Sequence, residues 1–184
     1  MSQAFAPDNI YTEDDYYHLP EHIRAELIYG QFYNMAAPSR IHQKILSALH
    51  AVIYHYIHSK KGLCEIYPSP FAVKLFEDRK TIVEPDISVI CNPDKLTDKG
   101  CDGAPDWVIE ITSPGNQGHD YIYKLNLYAD AGVREYWIVD PMKQKILVYY
   151  FEESAFDVRQ YTFQDDIKAN IFEDLLIDFK ELGL

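Results

Sequence analysis

Ile82-Val83-Glu84-Pro85-Asp86-Ile87-Ser88-Val89-Ile90 and Asp106-Trp107-Val108-Ile109-Glu110-Ile111-Thr112 decide how this chain reads. Both runs have the β-branched and aromatic content of buried strands, yet each carries acids where a strand interior should be apolar. We expect one strand over Thr81–Cys91 and another over Trp107–Thr112. With side chains alternating, Glu84 and Asp86 share one face of the first, and Glu110 shares a face with Val108 and Thr112 on the second. A lone carboxylate inside a sheet is costly unless it is paired or holds a cation. If the two strands are neighbours, Asp86 and Glu110 meet, and like charges that close raise a pKa or recruit a metal. Oxygen-only ligation suits Mg²⁺ or Mn²⁺. The competing reading is acids facing solvent on edge strands, or ion pairs with Arg134 or Lys124.

Working outward, Thr12 followed by Glu13, Asp14 and Asp15 predicts a short helix that stops near Pro20. Glu26–Met35 reads as a hairpin turning at Tyr29-Gly30. Ser39 caps a long helix to about Ser59, with Ile41, Ile45, Leu49, Val52 and Tyr56 at helical spacing and Gly62 as its end. A strand over about Leu63–Leu75 is interrupted at Pro68 and Pro70. Asn92–Pro105 reads as loop. A helix over about His119–Ala131 closes at Gly132, with Leu125, Ile122 and Ala129 as its buried face. Arg134–Val139 and Lys145–Phe151 form a hairpin turning at Asp140-Pro141, and the tail adds a strand near Val158–Phe163 and a terminal helical turn. Helix, three strands, helix, strand gives meander pairing beside a parallel strand–helix–strand crossover, hence a mixed-sheet α/β fold.

The 184 residues, 47% apolar and 25% charged, suit one domain, with a core spanning about residues 39–140. The start has neither a basic n-region nor an apolar h-region, and no apolar run approaches membrane-span length, so neither a signal peptide nor membrane insertion is expected. Cys64, Cys91 and Cys101 form no CxxC pair, which predicts free thiols in a reducing cytoplasm and no zinc site. The spacings of a Walker loop and of a GxSxG elbow are absent, and Asp106 to Glu110 is too short a separation for a PD…E motif.

Two further runs carry a family likeness. These are Glu26-Leu-Ile-x-Gly30 and Ala37-Pro-Ser-Arg-x-His42-Gln43. They are joined by Glu84-Pro-Asp86, Ala104-Pro-Asp-Trp-Val-Ile-Glu110, Thr112-Ser-Pro114, Lys124-Leu-x-x-Tyr128 and Ala131-Gly-Val-Arg-Glu-Tyr-Trp-Ile-Val-Asp-Pro141. Together they resemble the Uma family of endonucleases, a branch of the PD-(D/E)xK nuclease superfamily. The similarity covers about residues 11–183 and is most specific over 104–141. It implies a restriction-endonuclease-like αβββαβ core, to which the N-terminal hairpin and C-terminal strands are additions.

By that resemblance Pro85-Asp86 matches the PD and Glu110 the second acid. The lysine due two positions later is Thr112 here, a departure from the superfamily. The family's own variant takes the lysine from the following helix, where Lys124 stands. An Asp120–Lys124 pair one helical turn apart is the plain alternative. The resemblance implies a Mg²⁺ or Mn²⁺ site of Asp86, Glu110, Glu26 and the Ile111 carbonyl, with Asp86, Glu110 and Lys124 catalytic. His42 and Gln43 are candidate substrate contacts, although His42 also reads as a half-exposed helix residue. The implied reaction is hydrolysis of nucleic-acid phosphodiester bonds, DNA first, by a homodimer whose Tyr-rich segments 11–17, 54–56 and 121–128 offer contact surface, the alternative being that these tyrosines simply fill the core. The alternative is a catalytically silent scaffold or binding module on the same fold.

The charge of −12 argues against a protein that coats nucleic acid. It is unevenly spread. Residues 1–38 carry one Arg against six acids and residues 152–184 three bases against nine, whereas 39–151 hold 13 bases and 14 acids. Exposed charges are screened beyond roughly 8 Å at physiological salt, so local distribution governs phosphate approach. Weak, salt-sensitive, metal-dependent binding is the expectation.

Overall fold

A computed structural model describes residues 9–113, 117–152 and 155–184, with the side chains of 117–122, 152 and 155 outside the description. Thr12 opens α1 (Glu13–Tyr17), and the Asp15 carboxylate accepts from both the N–H and the hydroxyl of Thr12. β1 (Ala25–Ile28) and β2 (Gln31–Asn34) form the expected hairpin. Its turn residues Tyr29 and Gly30 both take positive φ (48° and 79°), the conformation a two-residue hairpin turn needs. α2 (Arg40–Lys60) starts on the Ser39 side chain, which accepts from the His42 N–H. It ends with Lys61 in the left-handed conformation, one residue before the expected Gly62.

The expected strand over 63–75 is split into β3 (Glu65–Pro68) and β4 (Val73–Lys74). The expected continuous strand over 81–91 is also split, into β5 (Ile82–Val83) and β6 (Ile87–Ile90). Pro85 has no N–H for a ladder, and the chain passes there from one sheet to another. The presumed loop 92–105 contains a 3₁₀ turn (Pro93–Lys95) and two short strands, β7 (Leu96–Thr97) and β8 (Gly100–Asp102). β9 (Trp107–Ile111), α3 (Gln117–Ala131), β10 (Glu135–Asp140), β11 (Lys145–Glu152) and β12 (Ala155–Thr162) follow. The terminal helical turn is instead a hairpin of β13 (Asp166–Lys168) and β14 (Leu176–Asp178).

The larger sheet has the order β12-β11-β10-β9-β6-β3. β3, β6 and β9 pair antiparallel as the meander predicted, and β9 pairs parallel with β10 across α3. The second sheet runs β2-β1-β5-β4-β8-β7. One face of the larger sheet buries Trp107, Ile109, Trp137 and Val139 against Ile45, Leu49 and Ile53 of α2 and against Ile177 and Phe179 of the tail. The other buries Val108, Tyr136 and Ile138 against Leu127 and Tyr128 of α3 and Val73 and Val83 of the second sheet. Buried Glu135 ties β10 to the tail, accepting from Trp137 Nε1 (2.7 Å), Asn170 Nδ2 (3.0 Å) and the Ile171 N–H (2.9 Å).

The cysteines correct the expectation of three free thiols. Cys64 and Cys91 lie opposite each other, one step beyond the Glu65↔Ile90 pair of β3 and β6, and are joined as a disulfide. Cys101 is free and buried. Burial pushes its thiol up to about 11, with Lys95 partly opposing and Asp102 adding to the rise. A thiol that stays protonated near neutrality is a poor nucleophile. We therefore expect folded protein at pH 8 to resist alkylation. After unfolding without reductant one thiol per chain should react, and after unfolding with reductant all three cysteines; three reactive thiols without reductant would show that the bond is absent.

Candidate active site

The polar cluster forms where β5 gives way to β6. Glu26 stands on β1, Glu84 and Asp86 flank Pro85 in the break, Glu110 lies on β9, and Lys124 projects from α3. The antiparallel register ends at Ile87↔Ile109, so Asp86 and Glu110 occupy the next step of the same ladder. The two sheet acids read from the sequence are therefore neighbours, and α3 supplies the cation.

Lys124 is the hub. Its Nζ donates to Glu110 Oε1 at 2.9 Å and to Glu26 Oε1 at 3.0 Å. Tyr128, one helical turn on, donates its hydroxyl to the same Glu110 oxygen at 2.7 Å. Burial raises the Glu110 carboxyl above the ordinary range; the Lys124 ammonium works against that rise, and Asp86 and Glu26 add to it. For Lys124, burial favours loss of the proton, but the Glu110 and Glu26 charges more than offset it and hold the ammonium well above its usual value. The ion-pair alternative to a metal site is thus realised for Glu110 with Lys124. Arg134 pairs instead with Asp106, at 3.2 Å. Asp120, the other candidate partner of Lys124, has its side chain outside the described residues, as does Ile122 of the expected buried helix face. Among the described residues of that helix Leu127 and Tyr128 are buried and Leu125 is half-buried against the core as expected, whereas Ala129 is exposed, because the helix turns Lys124 and Tyr128 toward Glu110.

Asp86 Oδ2 accepts from the Ile111 N–H at 2.7 Å and from His42 Nε2 at 3.0 Å. His42 is not half-exposed but 6% exposed, since the first turn of α2 points it into the sheet break. Burial lowers its basicity, yet the Asp86 hydrogen bond and the Asp86 and Glu110 charges raise it further, for a net rise. Gln43 lines the same cleft from the exposed side of the helix, and Ile111, at the end of β9 beside Asp86, lines it as well.

Three participants escaped the sequence reading. Arg24 Nη2 donates to Glu84 Oε2 (2.6 Å) and Ser69 Oγ (3.0 Å), and the Tyr16 hydroxyl donates to Glu84 Oε1 (2.8 Å). The Glu84 N–H in turn donates to Glu26 Oε1 at 3.1 Å. Arg24 sits two residues before Glu26 and so on the same strand face, a signal that was available. Nothing local points to Tyr16. Apart from Tyr16 and Tyr128, these residues line a cleft of about 660 Å³. Among the described residues, buried polar atoms without a hydrogen-bond partner include Arg24 Nε, His42 Nδ1 and Thr112 Oγ1, all from residues lining this cleft. Orphaned buried groups concentrated in one place are the mark of a polar ligand site.

A family model described as "Putative restriction endonuclease", Uma2, matches residues 13–179, most of the chain. The chain belongs to the Uma2 family. A crystal structure of "a putative nuclease belonging to DUF820" from Anabaena variabilis superposes with a TM-score of 0.73, covering 93% of this chain and 96% of that one at 24% identity. That likeness establishes the fold. An uncharacterized protein of Synechocystis, slr1290, is 27% identical over 122 residues, 66% of this chain. The match spans 63% of that relative's length, under two thirds of it. Among the described residues no helix is long and apolar enough to cross a membrane.

Removing Lys124 leaves Glu26 and Glu110 buried and facing each other without a counter-charge. Lys124→Ala should cost about 3–5 kcal/mol of stability in chelator-treated buffer. Millimolar Mg²⁺ or Mn²⁺ should then raise the melting temperature of the variant more than that of the wild type. Thermal melts of both proteins with and without metal would show it, and unchanged stability in the variant would refute the role of Lys124 as counter-ion.

Proposed function

We propose that this Uma2 member is a metal-dependent nuclease that hydrolyses nucleic-acid phosphodiester bonds, with DNA as the first substrate to test. The observation that carries the reading is the convergence of Asp86, Glu110, Glu26 and Lys124, from the β5–β6 break and three separate elements, on one cleft lined by orphaned polar atoms. The family description and the nuclease-like fold support it.

The donor chemistry fits Mg²⁺ or Mn²⁺. The hydrogen bonds described above use Asp86 Oδ2, Glu110 Oε1 and Glu26 Oε1, so the second oxygen of each carboxylate takes no part in them. With the Ile111 carbonyl, these are hard oxygen ligands of the kind that bind such ions while leaving positions for water and phosphate. When bound, the ion supplies phosphate polarisation and a water of lowered pKa. His42 and the Ile111 N–H fix the orientation of Asp86, and Tyr128 fixes that of Glu110. Glu110, oriented at Oε1 by Lys124 and Tyr128, would serve as a ligand of the ion and not as the proton acceptor. Lys124 keeps its proton and presents a fixed positive charge beside the carboxylates. Such a fixed charge, already in place, would stabilise negative charge gained by a phosphate oxygen in the transition state with no rearrangement at the moment of reaction. Arg24, held by Glu84 and Ser69 on the cleft wall, adds a second cation for the backbone.

A specific observation favours the second reading, a nuclease fold that binds without turnover. Lys124 already stands between Glu26 and Glu110 as their shared counter-charge, and among the described residues no three His, Cys, Asp or Glu side chains are arranged to hold a metal ion. Two measurements separate the readings. Plasmid DNA with Mg²⁺ or Mn²⁺ should be nicked by the wild type, and about 10²-fold or more slowly by Asp86→Asn, Glu110→Gln and Lys124→Ala. Calorimetry should show Mn²⁺ binding that Asp86→Asn weakens. Wild type as inert as the variants, with no heat at millimolar Mn²⁺, supports the silent module instead.

A further inference from the structure

β12 is the outer strand of the larger sheet, bordered by β11 on one side and by no strand on the other among the described residues. Edge strands of soluble proteins are commonly blunted by Pro, Lys, a bulge or short length, because a row of free N–H and C=O groups templates pairing with another chain. Here the edge carries charges only as the mutually paired Asp157 and Arg159. It runs eight residues with no Pro and no Lys, and its register with β11 is unbroken from Lys145↔Thr162 to Glu152↔Ala155. Two large apolar side chains on it, Phe156 and Val158, are 60% and 48% exposed.

Alternation fixes which backbone groups face outward. The Phe151 N–H donates to the Arg134 carbonyl, toward β10. Tyr150 and Glu152, offset by one, therefore turn their groups toward β12, and their partners Asp157 and Ala155 turn back to meet them. Phe156, Val158 and Gln160 are left with N–H and C=O aimed at the open edge.

A second copy laid antiparallel on this edge, with a two-fold axis through Val158, satisfies those groups. Val158 pairs with its own counterpart and Phe156 with Gln160, all as hydrogen-bonded pairs. Asp157 then falls opposite Arg159, and Arg159 opposite Asp157, in the non-hydrogen-bonded pairs where side chains approach most closely. Within one chain these two residues share the face opposite Phe156 and Val158, with Arg159 Nε donating to Asp157 Oδ2 at 2.8 Å. The charged face is thus self-complementary under the two-fold, as an isologous interface requires. The apolar face sets Val158 against its mate with Phe156 on the diagonal. An axis through Asp157 or Arg159 would oppose like charges and point the amides the wrong way.

We propose that the protein forms a two-fold dimer by antiparallel pairing of β12 with β12 of a second copy, centred on Val158. The pairing is independent of the chemistry in the cleft, so its failure leaves the nuclease reading untouched. Sedimentation equilibrium of the full chain, without DNA or metal, should return twice the 21.4 kDa chain mass. Val158→Pro removes an N–H that makes no bond within the chain, so its circular dichroism should be retained while its mass falls to that of one chain. Asp157→Arg and Arg159→Asp should each weaken self-association by about tenfold or more. Mixing these two variants should give a heterodimer, and combining both changes in one chain should restore the homodimer. The proposal is overturned by wild type sedimenting as a single chain at about 0.1 mM. It is equally overturned by a dimer that survives Val158→Pro, or by charge variants indifferent to mixing. Should Val158→Pro fail to fold, the charge-exchange experiment decides alone.

Discussion

A single ammonium group holds the cleft together. Lys124 reaches from α3 to Glu26 on β1 and Glu110 on β9, residues far apart in the chain. Taking two carboxylates out of water costs several kcal/mol each unless a counter-charge of good geometry accompanies them. The helix, the hairpin and the sheet therefore share one electrostatic constraint, and moving any of the three exposes a buried charge to its like. Tyr128 and the Glu84 N–H add hydrogen bonds to the same oxygens of Glu110 and Glu26 that Lys124 contacts, and such added partners lower the cost of a buried network.

The break at Glu84-Pro85-Asp86 gives that constraint its location. A continuous strand would have sent Glu84 and Asp86 to one face of one sheet. Instead Val83 closes β5 in the smaller sheet and Ile87 opens β6 in the larger one. The two acids at the corner go separate ways: Glu84 to Arg24 and Tyr16, Asp86 to His42 and the Ile111 amide. Active sites commonly occupy such seams because irregular backbone there leaves polar groups free to face a ligand. The orphaned Arg24 Nε, His42 Nδ1 and Thr112 Oγ1 are what this seam leaves over.

Much of this was legible in the chain. The acids in otherwise apolar strands marked Asp86 and Glu110, the Tyr29-Gly30 turn marked the hairpin, and the strand–helix–strand run marked the parallel pair. The family resemblance, in which a helix lysine answers the departure at Thr112, pointed to Lys124 as the cation. The misreadings share one origin. His42 looked half-exposed because helical spacing reports position around an axis, and not what packs against it. The cysteines looked free because spacing in sequence says nothing of strands that come to lie side by side, as β3 and β6 do at Cys64 and Cys91. The tail read as a helical turn, but burial of Ile167, Ile177 and Phe179 against the main sheet draws it into a hairpin.

By itself the sequence determined the periodicities, the turns and caps, and the presence of carboxylates that could not be buried alone. Those are local properties, set by backbone sterics and side-chain type within a few residues. Only the tertiary structure decided the partners: that Lys124 answers Glu26 as well as Glu110, that Arg24 and Tyr16 hold Glu84, and that β12 has no second strand beside it among the described residues. Such choices depend on contacts between residues distant along the chain, and burial energy, which selects among them, has no direction of its own until the sheets have packed.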